Sequence, residues 1–326
     1  MLSARTSGDE SPAVFAQAVR DGLGADPKTL PCRYFYDAEG SRLFEEICDL
    51  PEYYPTRTED QILRDHADAM VDGWMRDPVM IELGSGSSTK TRRLIAASLR
   101  AYGGLHYVPI DVSASILEDS ARSLVADFPA LEVTGFVANY RDALDTVFDR
   151  FSGPKLVVFL GSSLGNYESD EAVDLLSLIA RGMDPSDRLL LGTDLDKDPA
   201  ILEAAYDDAR GVTARFNLNL LERINRELGG RFDPGQFEHR AIYRADRGRV
   251  EMHLVSRKDQ VIPIEEAGIS VRLAAGESIH TESSHKYSEG LLQDLARRAG
   301  FEEEAAWTDR RGWFRVQKWR PAHQGY

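Results

Sequence analysis

From residue 79 onward the chain alternates short, almost uninterrupted apolar runs with stretches in which apolar residues recur every three or four positions. The runs fall at 79–83, 107–110, 131–137, 156–160 and 189–192, with helix-period stretches at 90–102, 115–128 and 170–183. A strand that is apolar on both faces belongs in a parallel sheet covered on both sides, and β-α-β alternation is how such sheets are built. The pattern therefore predicts a doubly wound α/β domain. Upstream, 1–12 reads as a frayed polar tail, 12–23 as an amphipathic helix and 24–40 as a turn-rich stretch studded with aromatics. After residue 195 the rhythm breaks. Two helical stretches, 199–209 and 214–228, lead into alternating segments at 241–244, 250–255, 261–264 and 269–273, which predict an inserted α+β unit. A helix over 288–299, stopped by Gly300, and two strand-like pieces within 301–319 flanking a turn at 309–312 return the chain to the first sheet as a terminal hairpin.

Composition narrows the function. The 326 residues allow two domains, or one large domain with an elaboration. Thirty-nine basic against 54 acidic side chains leave a net charge of −15, the wrong sign for tracking phosphates, so neither nucleic acid nor an anionic membrane is an expected partner. No apolar run reaches the roughly 18 residues a membrane helix needs, and the polar start lacks the pattern of a secretory signal. The only cysteines, Cys32 and Cys48, are too few for a disulfide framework, so free thiols and a cytoplasmic location are expected. Seven histidines include no HExxH pair. His280 and His285 are close in sequence but lack a ligand set at metal spacing, and no metal is expected.

Candidate chemistry gathers at the carboxyl ends of the predicted strands. Glu82-Leu83-Gly84-Ser85-Gly86 closes the first, and Ser87-Ser88-Thr89-Lys90 follows at a helix start. Glycines there permit a sharp turn and close approach of a ligand to the main chain. A dinucleotide fingerprint wants a third glycine where Thr89 stands, so a pyrophosphate is disfavoured. A cofactor ending in a carboxylate fits better, with Lys90 as its partner. Asp111 ends the second strand, suited to a ribose diol, and Asn139-Tyr140 follows the third, suited to an adenine edge and face. Together these suggest S-adenosylmethionine, although Asp111 as a helix cap and Asn139 as a turn residue are each plausible alone. Asn166, in the loop Gly161–Asn166 after the fourth strand, suits an amine beside a carboxylate, or else a helix N-cap. Glu282 and Ser284, two apart in an extended stretch, project from one face and match the two nitrogens of an imidazole.

Six motifs make the likeness specific: the runs from Tyr34 to Ser41 and Leu50 to Glu59, then 82–91, 159–166, 191–198 and 206–217. They closely resemble the histidine-specific methyltransferase family of ergothioneine biosynthesis, over nearly the whole chain from about residue 27 to 319. The resemblance implies a class I methyltransferase (Rossmann-like) domain at 61–196 and 287–326, with a substrate-binding domain formed by 1–60 and the inserted 197–286. It implies an S-adenosylmethionine-dependent L-histidine Nα-methyltransferase that makes hercynine, Nα-trimethylhistidine, by three successive transfers; separately, a monomer is expected. The cofactor positions it carries over are Tyr36, Gly84, Lys90, Asp111, Asn139 and Tyr140; the family more usually has aspartate and phenylalanine at the last two. The histidine positions are Tyr53, Asn166, Tyr206, Met252, Glu282 and Ser284, with Asn166 and Tyr206 orienting the reacting groups. A relative acting on another amino acid, such as a tryptophan derivative, is the alternative, and it would be expected to lose the Glu282/Ser284 pair. An NAD-dependent oxidoreductase is disfavoured by Thr89, and a non-catalytic scaffold by retention of the site residues.

Overall fold

The computed structural model describes residues 11–73 and 78–322. In chain order come α1 (Pro12–Gly24), β1 (Lys28–Thr29), α2 (Ala38–Cys48) and α3 (Tyr54–Val71). The alternating stretch follows as β2 (Val79–Leu83), α4 (Arg92–Tyr102), β3 (Leu105–Asp111), α5 (Ala114–Asp127), β4 (Leu131–Val133) and β5 (Phe136–Val137). It continues through α6 (Tyr140–Arg150), β6 (Lys155–Phe159), α7 (Ser169–Gly182) and β7 (Arg188–Asp194). Then come α8 (Pro199–Tyr206), α9 (Val212–Leu228), β8 (Phe237–Arg244), β9 (Arg249–Ser256), β10 (Gln260–Ile264), β11 (Ile269–Leu273) and β12 (Ser278–His285). Last are α10 (Glu289–Ala299), β13 (Phe301–Thr308) and β14 (Phe314–Pro321).

These elements divide into two compact units. Unit 1 holds the described residues of Pro55–Asp196 and Lys286–Tyr326; unit 2 holds those of Gly8–Tyr54 and Lys197–His285. Unit 1 is built on a sheet of order β13-β14-β7-β6-β2-β3-β4, with β5 beside β3. β2, β3, β4, β6 and β7 run parallel, while β14 enters antiparallel between β7 and β13. The apolar runs arise because each strand feeds two cores by alternation. Val79, Ile81 and Leu83 of β2 pack with α6, α7 and α10, whereas Met80 packs with α3 and α4, and β6 and β7 divide in the same way. The terminal hairpin returns to this sheet, as the sequence predicts.

The chain leaves unit 1's sheet after β7 and re-enters it before α10, and the two crossings are fastened side by side. Leu195 bridges Tyr287, Tyr287 N–H donates to Asp194 O (2.9 Å) and Asp196 N–H to Tyr287 O (3.0 Å). The fully buried Lys286 and Asp194 pair at 2.9 Å.

Unit 2 carries a sheet of order β1-β12-β9-β8, with β1 parallel to β12, and a separate β10–β11 hairpin. α1 starts where Ser11 Oγ accepts from Val14 N–H (3.3 Å) and Pro12 takes the first helical position. The predicted frayed tail lies outside the described residues, except for Ser11 and Pro12.

The structure departs from the sequence reading in places. The run at 131–137 is two short strands interrupted at Thr134 and Gly135. α2, α3 and α6 are additional helices. α6 follows Asn139, whose Oδ1 caps it by accepting from Arg141 N–H (3.0 Å), and its apolar face is Ala143, Leu144 and Val147.

Candidate active site

In unit 1 the sheet order reverses between β2 and β6, and doubly wound sheets hold ligands in the crevice at such a switch point. β2 ends at Gly84-Ser85-Gly86. Gly84 and Gly86 have φ of +67° and +50°, a region that side chains with a Cβ rarely adopt. Nothing lies within 4 Å of where a Cβ on either would sit, so the turn leaves open space against the main chain. Ser85 Oγ is buried there without a hydrogen-bond partner, as a hydroxyl waiting on a ligand would be. Asp111 pins the turn: Oδ2 accepts from Gly86 N–H (2.8 Å) and Oδ1 from Ser113 N–H (2.9 Å). Each oxygen retains acceptor capacity for a ligand hydroxyl. Burial pushes this carboxyl above its ordinary value, and the backbone N–H groups of Ser113, Gly86 and Val112 oppose the shift.

Behind the turn, the buried Glu82 accepts hydrogen bonds from the Thr91 and Tyr107 hydroxyls, and Tyr107 also bonds Ser88 Oγ (2.8 Å). This network holds Ser88 at φ +53°. Burial raises the Glu82 pKa from 4.5 to about 7 against the pull of those hydroxyls and of Lys90. A carboxyl with a raised native pKa favours the fold fully below its unfolded value, and that contribution is lost as pH rises through about 7. Wild-type melting temperature should therefore fall between pH 5 and 8 relative to that of Glu82→Gln, by an amount on the order of 3 kcal/mol of stability. A constant difference between the two proteins across that range, followed by calorimetry, would show that Glu82 does not titrate there.

The other unit 1 candidates surround the same edge of the sheet. Lys90 Nζ pairs with the buried Glu59 carboxylate. Tyr140, first residue of α6, joins its hydroxyl to that of Tyr167 at 2.5 Å, and the Arg141 guanidinium lies 5.5 Å from the Tyr167 ring centroid. Asn166 ends a single 3-10 turn, Ser163–Asn166. It does not cap the next helix: Glu168 caps α7, in a reciprocal capping box with Glu171.

Unit 2 gathers the remaining candidates. A register shift between His280 and Glu282 bulges β12 at Thr281, whose hydroxyl donates to Met252 O (3.0 Å). Beyond the bulge Glu282 lies opposite Met252 and Ser284 opposite Val250, so Met252, Glu282 and Ser284 share one face. Ser284 Oγ bonds the Tyr206 hydroxyl (2.8 Å) at the end of α8. The Tyr53 ring meets Tyr206 edge-on at 6.1 Å, and Tyr36 packs edge-on against Phe44 and Phe216. Burial, reinforced by the negative charge of Glu282, holds the Tyr36 phenol well above its ordinary pKa; Tyr53 is shifted the same way by burial and neighbouring Tyr206. The Cys32 thiol is pushed up to about 12 by burial and by Glu282, so it is no nucleophile at neutral pH. Cys32 and Cys48 are both free thiols. His280, considered above as a ligand candidate, is hydrogen-bonded to Glu282 O and Ser283 Oγ, and no group that could hold a metal occurs among the described residues. No described helix is long and apolar enough to cross a membrane.

Two residues of the site were not singled out from sequence. Glu59 is one, visible only as the last position of a motif. The other is His239, whose Nε2–H donates to Tyr206 O (2.8 Å) while Nδ1 accepts from Asn217 Nδ2 (2.9 Å). Burial lowers its pKa, so the neutral ring braces the Tyr206 backbone.

β14 lies antiparallel between β13 and β7, and this departure from the all-parallel dinucleotide-binding order marks unit 1 as a class I methyltransferase domain, which takes its methyl group from S-adenosylmethionine. The open glycine turn, the unpaired Ser85 hydroxyl and the acid ending β3 fit that donor. The chain belongs to the histidine-specific, S-adenosylmethionine-dependent methyltransferase family, whose model matches residues 15–321. It is 42% identical over 307 residues to the histidine N-alpha-methyltransferase of Mycolicibacterium smegmatis, covering 94% of each chain. To the Mycobacterium tuberculosis protein of the same name it is 42% identical over 297 residues, covering 91% of each. The ergothioneine biosynthesis protein 1 of Neurospora crassa is 30% identical over 287 residues, 86% of this chain and 32% of that longer protein.

Proposed function

We propose that this enzyme methylates the α-amine of L-histidine three times, releasing Nα-trimethylhistidine, hercynine, for ergothioneine formation. The observation that carries the reading is the Glu282–Ser284 pair on one face of β12, a carboxylate and a hydroxyl matched to an imidazole, with Tyr206 of α8 hydrogen-bonded to Ser284, in a chain with the family membership given above. Unit 1 is assigned the methyl donor and, through Asn166, the reacting amine; unit 2 is assigned the rest of the amino acid. Incubation with S-adenosylmethionine and all twenty amino acids, followed by mass spectrometry, should show three methyl additions on histidine alone. Methylation of a different amino acid in preference would overturn it.

When bound, S-adenosylmethionine supplies a methyl group activated on a sulfonium. Asp111 is assigned to its ribose, Asn139 and Tyr140 to adenine, the Gly84 turn to its main-chain approach and Lys90 to its carboxylate. An α-amine with a pKa of roughly 8 is partly neutral in mildly alkaline solution, so the chain needs to orient it more than to deprotonate it. That role goes to Asn166, and orientation of the amino-acid carboxylate to Tyr206. Tyr36, which the resemblance groups with the cofactor, sits within reach of the Glu282 field in unit 2; with Tyr53 it is assigned to the amino-acid side, where aromatic faces favour the fixed positive charge of the methylated product.

Asp111→Ala should weaken binding of S-adenosylhomocysteine by about 1.5–3 kcal/mol, the worth of hydrogen bonds to a charged acceptor. Calorimetric titration reads this directly, and unchanged affinity would remove Asp111 from the donor site.

A further inference from the structure

Glu59 has no part in the roles assigned above, yet it is a fully buried carboxylate at the switch point of unit 1's sheet. Its oxygens accept the Gly161 N–H at 2.9 and 3.1 Å, and it pairs with Lys90 Nζ. β7 makes room for it: a Cβ on Gly192 would lie 2.1 Å from Glu59 Oε1. A carboxylate taken out of water is retained only where charge and hydrogen bonds compensate it. Both compensating groups belong to the segments that carry the proposed chemistry. Lys90 stands between the glycine turn and α4. Gly161 opens the loop that ends in Asn166, with Gly161 at φ +75° and Ser162 at φ +58°, a left-handed pair that surrounding contacts must hold in place.

We propose that Glu59 is a positioning residue for methyl transfer, setting donor affinity through Lys90 and alignment of Asn166 through Gly161. The proposal rests on the functional reading above for the roles of Lys90 and Asn166. Its signature is a separation of two effects. E59Q can still accept the Gly161 N–H but carries no charge for Lys90, so it should weaken S-adenosylhomocysteine binding about tenfold. E59A forfeits both contacts, and should add to that loss a fall in kcat on histidine, at saturating donor, clearly deeper than in E59Q.

The deciding measurement is a double-mutant cycle of E59Q and K90M, read as S-adenosylhomocysteine affinity by calorimetry, with melting temperatures taken alongside. If Glu59 acts through Lys90, the double variant binds no worse than the weaker single variant. Additive losses, or wild-type affinity in E59Q, would overturn the proposal. Should E59Q fail to fold, E59D, which keeps the charge but draws it back by one methylene, enters the same cycle, and there additive losses alone overturn the proposal. Wild-type protein that binds the probe but leaves histidine unmethylated would sink the functional reading instead. Normal histidine methylation with an additive cycle would sink the Glu59 inference alone.

Discussion

Glu282→Ala is expected to raise the Michaelis constant for histidine by about 10- to 100-fold, the cost of losing a charged hydrogen bond and leaving the substrate's imidazole unpaired. The bulge at Thr281 puts Glu282 opposite Met252 and in line with Ser284, so removing the carboxylate leaves one hydroxyl where two polar partners stood. A site built to hydrogen-bond a polar side chain rejects analogues that lack it, because its own groups would be stranded. The same substitution should therefore relax exclusion of tryptophan, and Met252→Ala added to it should open further room, since Met252 is buried on that face. Loss on histidine and gain on tryptophan are coupled, and competition between the two substrates measures both at once. Wild-type histidine kinetics in the variant would mean that the imidazole is read elsewhere.

Turnover should respond most to Asn166→Ala. An in-line transfer needs the amine held along the axis of the breaking bond, and a displacement of ~1 Å can cost ~100-fold. Because Glu168 supplies the cap of α7, losing the Asn166 amide removes no helix cap and the fold should stand. A fall in kcat of about 100-fold with S-adenosylhomocysteine affinity within a few-fold of wild type is the expected result. Near-normal turnover would take the amine-orienting role away from Asn166.

The parallel core was legible because strands buried on both faces must be apolar at nearly every position, as 156–160 are throughout and 79–83 are save for Glu82. α6 was not, because its buried apolar residues are three among charged ones and helical period over so short a span carries little signal. The common face of Glu282 and Ser284 followed from spacing. Their alignment with Met252 did not, since it depends on a one-residue register shift that no local pattern encodes. The Tyr206–Ser284 hydrogen bond joins residues 78 apart, and burial of Glu59 runs against the ordinary preference of carboxylates for water. Both are products of tertiary packing.

The fastening of Leu195 and Asp196 to Tyr287, with the Lys286–Asp194 pair beneath, makes residues 197–285 an excursion whose two ends are already joined. Substitution or insertion within it need not be transmitted to β7 or α10, because the ends are tied within the sheet unit itself. Tyr206, Met252, Glu282 and Ser284 all lie inside the excursion; Gly84, Lys90, Asp111, Asn139 and Asn166 all lie outside it. Under the roles proposed above, change in the residues assigned to the amino-acid side chain can accumulate in one continuous cassette, while those assigned to the donor, and Asn166, are left alone. Such a cassette would still inherit Tyr36, Tyr53 and Asn166, which lie outside it and are assigned above to the amino-acid side.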